Sequence, residues 1–81
     1  MKYQIGQTVW IWRGDNDKPY SATITDLCGI ATNGEYVWEF KHIDAETGWC
    51  CLSGCGESDI YETQEEAENA YKKYLMQTNK I

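Results

Sequence analysis

Hydrophobic and polar positions alternate with a period of two through most of the first sixty residues, and the period then becomes helical. The segment "YSATITDL" places Tyr20, Ala22 and Ile24 on one face and hydroxyl-bearing residues on the other. Such alternation is typical of a strand with one buried face. The same pattern, together with β-branched and aromatic residues, predicts five strands, at residues 7–13, 20–27, 35–42, 48–53 and 58–62.

The C-terminal segment "TQEEAENAYKKYLMQ" has a helical period. Thr63 and Glu66 have the spacing of a capping box, which marks the start of a helix. We therefore predict a helix from about Gln64 to Met76. Its apolar face consists of residues spaced at i, i+3, i+4, i+7 and i+8, namely Ala67, Ala70, Tyr71, Tyr74 and Leu75.

Turn-forming residues separate the predicted strands. A polar loop spans 14–19, Asn33-Gly34 suits a type I′ hairpin, and 44–48 forms a second hairpin loop. The elements predict a single α+β domain over residues 1–81. Residues 5–61 would form a five-stranded antiparallel small barrel or bent sheet, and residues 63–77 one C-terminal α-helix packed on it.

The opening "IGQTVWIW", the long loop after it and "YSATITDL" resemble SH3-like small barrels, in which a Gly-x-x-Val strand leads through a long loop into a second strand. The resemblance covers about Ile5 to Tyr61 and implies a fold but no function, because this barrel carries many unrelated functions. The acidic and tyrosine motifs of peptide-binding SH3 domains are missing. In size and acidity the chain also resembles small single-domain proteins of bacteria and their phages.

The charge is strongly acidic. The 81-residue chain has a net charge of −6, and between Ile43 and Tyr71 it has eight acidic residues and no Lys or Arg. Phosphate backbones and anionic membranes are bound through Lys and Arg, so we expect neither nucleic-acid nor membrane binding. The N-terminal segment lacks the apolar stretch of a signal peptide, and we expect a cytoplasmic protein whose cysteines are thiols or metal ligands and not disulfides.

The stretch "GWCCLSGCG" holds three of the four cysteines. We expect a strand with Cys50 facing inward, Cys51 on the opposite face and Cys55 in the following turn. Two cysteines separated by two residues, the usual zinc-knuckle spacing, do not occur, so buried thiols without a cofactor are favoured. The alternative is a structural zinc site with three thiolates and an imidazole, formed by Cys28, His42, Cys51 and Cys55.

Catalytic motifs are missing from the sequence. His42 is the only histidine, the serines lack a flanking motif, and the glycines mark turns and form no phosphate-binding loop. We therefore predict a non-catalytic module that binds a protein partner. Trp10 and Trp12 share one strand face opposite Val9 and Ile11, and exposed tryptophans would mark a recognition surface. In the alternative arrangement, the helix covers both rings.

An acidic face is the second candidate surface. It would attract a basic partner protein and consists of Glu57, Asp59, Glu62, Glu65 and Glu66. The simpler interpretation is a solvated face that keeps the protein soluble. A third function that fits the charge is an inhibitor that imitates nucleic acid.

Overall fold

The computed structural model describes residues 3–14, 18–44 and 46–78, and of Thr78 only the backbone. The predicted loops at 14–19 and 44–48 each fall partly outside these ranges. The α+β class with a single C-terminal helix is confirmed. The elements are β1 (Thr8–Ile11), β2 (Tyr20–Ile30), β3 (Tyr36–Ile43), β4 (Cys50–Gly56), a 3₁₀ turn (Glu57–Asp59), β5 (Ile60–Tyr61) and α1 (Gln64–Thr78).

The five strands form one antiparallel sheet in the order β4-β3-β2-β1-β5. Strands β1 to β4 form a meander, and β5 returns beside β1. Of the two arrangements predicted, a small barrel or a bent sheet, the structure has the open, bent sheet and not the closed barrel, since β4 and β5 are its two edges. The physical reason is the length of β5, whose two residues both pair with β1 and form no ladder with β4. The side chain of Arg13 reaches across instead, where its Nη2 donates to the Gly54 carbonyl over 3.1 Å.

Strand β2 bends in its middle. Its pairing with β3 shifts register between Ile24 and Asp26 and again between Leu27 and Gly29. Such irregularities bend a strand and increase its twist. The first half of β2 pairs with β1 and the larger part of the strand pairs with β3, so the bend curves the sheet around its buried face.

One face of the curved sheet carries the core. Alternate residues of neighbouring strands are fully buried there: Val9, Ile11, Ile24 and Phe40. Trp38 joins them, and Tyr3 packs edge-on against its ring at a centroid distance of 6.0 Å. The Tyr3 hydroxyl donates to the Ile60 carbonyl over 3.2 Å, so the segment before β1 covers the core and contacts β5.

Helix α1 packs against β1 and β5, with Ala67 fully buried. The start of the helix has the predicted cap. The Glu66 backbone N–H donates to Thr63 Oγ1 over 3.2 Å, and the Thr63 hydroxyl donates to the Glu66 carboxylate over 3.3 Å. The capping box thus fixes the first turn. In the usual box the glutamate carboxylate accepts from the backbone N–H of the cap residue, whereas here the Glu66 carboxylate accepts from the hydroxyl of Thr63.

Thr63→Ala is expected to lower the free energy of unfolding by about 1 kcal/mol, because the first-turn amide of Glu66 loses its acceptor. Urea denaturation followed by circular dichroism measures the change. Thr63→Ser keeps the hydroxyl and is the control, with a stability close to that of the original protein. Equal midpoints for the alanine variant and the original protein would contradict the role of this cap.

Candidate functional site

Trp10 and Trp12 do not form an exposed aromatic surface. Both side chains are half-buried. The Trp12 ring packs edge-on against Tyr71 at 6.2 Å and Tyr74 at 5.6 Å, both on α1. Trp10 lies between Ser21 of β2 and Tyr61 of β5 in the strand register. Helix α1 therefore covers the ring of Trp12, as in the second of the two predicted arrangements.

The acidic candidates have different surroundings. The Glu57 carboxylate accepts a hydrogen bond from Trp38 Nε1 over 3.1 Å and is half-buried, and Glu66 belongs to the helix cap. Asp59 is half-buried, and its carbonyl accepts from the Trp12 N–H over 3.1 Å. Of the five acidic candidates, Glu62 and Glu65 are the two that are exposed and lie outside these contacts. The acidic stretch is therefore partly built into the fold.

The cysteines of β4 have the opposite orientation to the predicted one. The strand continues to Gly56, Cys50 is exposed and Cys55 is only 8% exposed, so the predictions for these two residues are wrong. Cys55 pairs with the buried Trp38 of β3, which places it on the core face. Burial, with a further contribution from the Asp59 carboxylate, raises the pKa of the Cys55 thiol to about 11, against the opposing effect of Arg13.

The four residues of the zinc alternative do not meet. Cys28 is exposed on β2, and Cys55 is buried in the core. His42 and Cys51 are register partners on β3 and β4, but His42 Nε2 lies 3.3 Å from the hydroxyl of Ser53. Among the residues that the structure describes, no three His, Cys, Asp or Glu side chains lie close enough to hold a metal ion. All four cysteines are free thiols.

The tip of the β3–β4 hairpin carries an apolar surface that the sequence analysis missed. This hairpin patch consists of Ile43, Trp49, Cys50 and Leu52. Trp49 is 76% exposed, Leu52 65% and Ile43 63%, and Ile43 pairs with the exposed Cys50. A signal exists in the sequence, because "WCCL" is apolar at every position and one face of such a strand must lie outside a one-sided core.

The hairpin loop holds Trp49 in this exposed position. The Asp44 N–H donates to the Trp49 carbonyl over 2.9 Å, and the Gly48 N–H donates to the Asp44 carbonyl over 2.8 Å. Gly48 has a φ of +72°, which glycine adopts at little cost. The Trp49 N–H donates to Thr47 Oγ1 over 3.2 Å. The ring therefore projects from a loop with defined backbone bonds.

Strand β4 is an edge of the sheet, and its edge is only partly occupied. Arg13 bonds the carbonyl of Gly54, so in the part of the chain that the structure describes, the edge that remains for a partner runs from Cys50 to Ser53. Next to Ile43 and Cys50, an open groove of about 360 Å³ extends over β2 and β3, where Thr23, Lys41 and other residues line it. The hairpin patch and this free edge together form the candidate site.

The described part of the chain contains no helix that is long and apolar enough to cross a membrane. No known protein family, curated protein sequence or solved structure matches the chain. The candidate site is therefore defined by the surface of this molecule alone.

Proposed function

We propose that this chain is a non-catalytic protein-binding module and that an extended segment of its partner adds as a further strand to the edge of β4. The observation that carries this proposal is the free edge from Cys50 to Ser53 beside the exposed hairpin patch. Natural proteins usually protect such edges with charged residues, proline or covering segments. Strand β4, "CCLSGCG", contains no charged residue and no proline.

Strand addition divides affinity and specificity between backbone and side chains. Main-chain hydrogen bonds to the edge supply affinity, and alternate side chains of the added strand supply specificity by entering neighbouring pockets. Trp49 and Leu52 are suitable anchors, because large apolar side chains that become buried on binding dominate interface energetics. The groove beside Ile43 and Cys50 offers space for a side chain of the partner.

The acidic residues at the two ends of the free edge favour a partner with basic ends, whereas two bases lie along its length: Lys41 is the register partner of Leu52, and Arg13 bonds Gly54. Asp44 and Glu46 lie in the hairpin loop at one end of β4, and Glu35 and Glu57 lie at its other end. The Glu35 carboxylate accepts a hydrogen bond from the Ser58 N–H, which lowers the pKa of Glu35 and keeps it charged. The partner segment is therefore an apolar stretch flanked by Lys or Arg, which the acidic ends would attract and orient.

We also propose that the chain is related to SH3-like barrels and that it is a cytoplasmic protein. The meander of β1 to β4, with β5 returning beside β1, supports a relationship to a barrel that is open between β4 and β5. The exposed free thiols of Cys28 and Cys50 support a reducing compartment, where thiols persist.

Selection from a library of random peptides tests the proposal. We expect enriched peptides to alternate apolar residues and to carry Lys or Arg near their ends. Leu52→Thr, which keeps a strand-forming residue but removes the apolar anchor, should weaken their binding about tenfold. Ile30→Thr is the matched control, because Ile30 is also 65% exposed but lies at the far end of β2. This variant should bind the selected peptides as tightly as the original protein.

Amide chemical shifts of the protein with a selected peptide locate the contact. The largest changes should fall on β4 between Cys50 and Ser53. Changes centred on Trp10 and Trp12 would overturn the edge-strand site in favour of the aromatic strand. If no peptide sequence is enriched, or if both threonine variants bind equally well, the proposed site is wrong.

A further inference from the structure

A second groove opens on the core side of the hairpin, between the end of β1 and strands β3 and β4. It has a volume of about 320 Å³. Six of its lining residues carry polar groups, one of them being the indole of Trp12. The other five define what we call the basic groove: Arg13, Lys18, Tyr20, His42 and Ser53. It lies on the other side of the sheet from the exposed face of Leu52, and it is separate from the hairpin patch.

The charge of the basic groove opposes that of the whole chain. The protein has seven Lys and Arg residues against thirteen Asp and Glu residues. Two described residues that line the groove, Arg13 and Lys18, are positively charged, and no described carboxylate lines it. Asp15 and Asp17 lie outside the described residues. A local excess of cations in an acidic protein favours anionic ligands at that place.

The fold holds the polar groups of the groove in position. Arg13 donates one hydrogen bond to the Gly54 carbonyl, and its guanidinium lies 5.9 Å from the centre of the Phe40 ring. A guanidinium has five N–H donors, so this bond leaves most of its donor capacity for other acceptors.

The side chain of His42 is held in place by two aromatic rings and a hydroxyl group. Its ring lies 4.8 Å from the ring of Tyr20 and 5.6 Å from that of Phe40. Its Nε2 atom is 3.3 Å from Ser53 Oγ, which places an imidazole and a hydroxyl together on the wall of the groove. Such fixed groups lose little side-chain entropy when a ligand binds.

We propose that the basic groove binds an oxyanion, either a phosphate or a carboxylate group. Guanidinium, ammonium and hydroxyl groups form charge-assisted hydrogen bonds to such oxygens, and these bonds are about twice as strong as neutral ones. The volume exceeds that of an oxyanion alone, so the groove has space for the small molecule or side chain that carries the group. This binding does not require an added strand at β4, although Ser53 belongs to both the groove and the free edge.

Titration with inorganic phosphate, and separately with acetate, tests the inference by amide chemical shifts at constant ionic strength set with chloride. We expect saturable changes at Arg13, Lys18, His42 and Ser53. The anion that saturates at the lower concentration identifies the preferred group. Changes that do not saturate, or that lie elsewhere, would overturn the proposal, as would equal responses to phosphate, acetate and chloride.

Three variants sharpen the test, and the two lysine variants change the charge of the protein equally. His42→Gln should weaken binding of the preferred anion about tenfold and Lys18→Gln about threefold. Lys73→Gln, an exposed residue on α1, should leave the affinity unchanged. If Lys73→Gln weakens binding as much as Lys18→Gln, the effect is one of net charge and the site is refuted. Lys18 is exposed in a loop, so its variant decides the matter even if His42→Gln disturbs folding. Leu52→Thr should bind the anion like the original protein.

Discussion

Trp38→Ala is expected to lower the free energy of unfolding by about 4 kcal/mol, a large fraction of the stability of a domain of this size. The side chain is 1% exposed, packs edge-on against Tyr3 and donates a hydrogen bond from its indole nitrogen to Glu57. Its loss leaves a cavity between β3 and the segment that covers the core. Urea denaturation followed by circular dichroism measures the effect.

Trp49→Ala provides the matched control, because it makes the same change at a ring that is 76% exposed. We expect a stability change within about 0.5 kcal/mol for this surface position. Trp38→Phe should give an intermediate loss, since it keeps a ring in the core but removes the donor to Glu57. Similar losses for Trp38→Ala and Trp49→Ala would show that the core is not where the structure places it.

A thiol reagent applied to the folded protein should modify Cys28 and Cys50 at least about 100-fold faster than Cys55. The reactive species is the thiolate, and burial raises the pKa of Cys55 from 9.0 to about 11. At about pH 8, roughly one Cys55 thiol in a thousand is then ionised. Burial of the sulfur slows access of the reagent further. Peptide mass spectrometry after short exposure gives the order of modification.

The pH dependence follows from the direction of the shift. The raised pKa means that the folded state disfavours the Cys55 thiolate. Cys55 thus contributes stability that is fully present below its ordinary pKa of 9.0 and is lost as the pH rises toward 11. Cys55→Ser, which has no thiol to ionise, should lose less stability over this interval. Simultaneous modification of Cys50 and Cys55 in folded protein would contradict the orientation of β4.

The helix and the central strands could be predicted because their own residues determine them. The Thr63–Glu66 cap and the apolar face from Ala67 onward specify α1 without reference to the rest of the chain. The alternation of Tyr20, Ala22 and Ile24 likewise specifies the buried face of β2. In both cases one periodic pattern agrees with one buried surface, and the structure has the expected element.

The orientation of β4 could not be predicted because its N-terminal half is apolar on both faces. The register with β3, in which Cys55 lies opposite Trp38, decides which face is buried, and that register depends on another part of the chain. The covering of Trp12 and the opening of the sheet are also tertiary properties. They depend on where α1 packs and on the two-residue length of β5, neither of which a local pattern specifies.

The return of β5 beside β1 has a consequence for the order of folding. Trp10 pairs with Tyr61, roughly 50 residues later in the chain, whereas each pair of strands in the β2–β4 meander is close in sequence. Closing a longer loop costs more chain entropy, so the meander can form first and the β1–β5 pairs later. During synthesis, β1 can therefore gain β5 as its second neighbouring strand only after residue 61 has been made, and its outer edge stays unpaired until then.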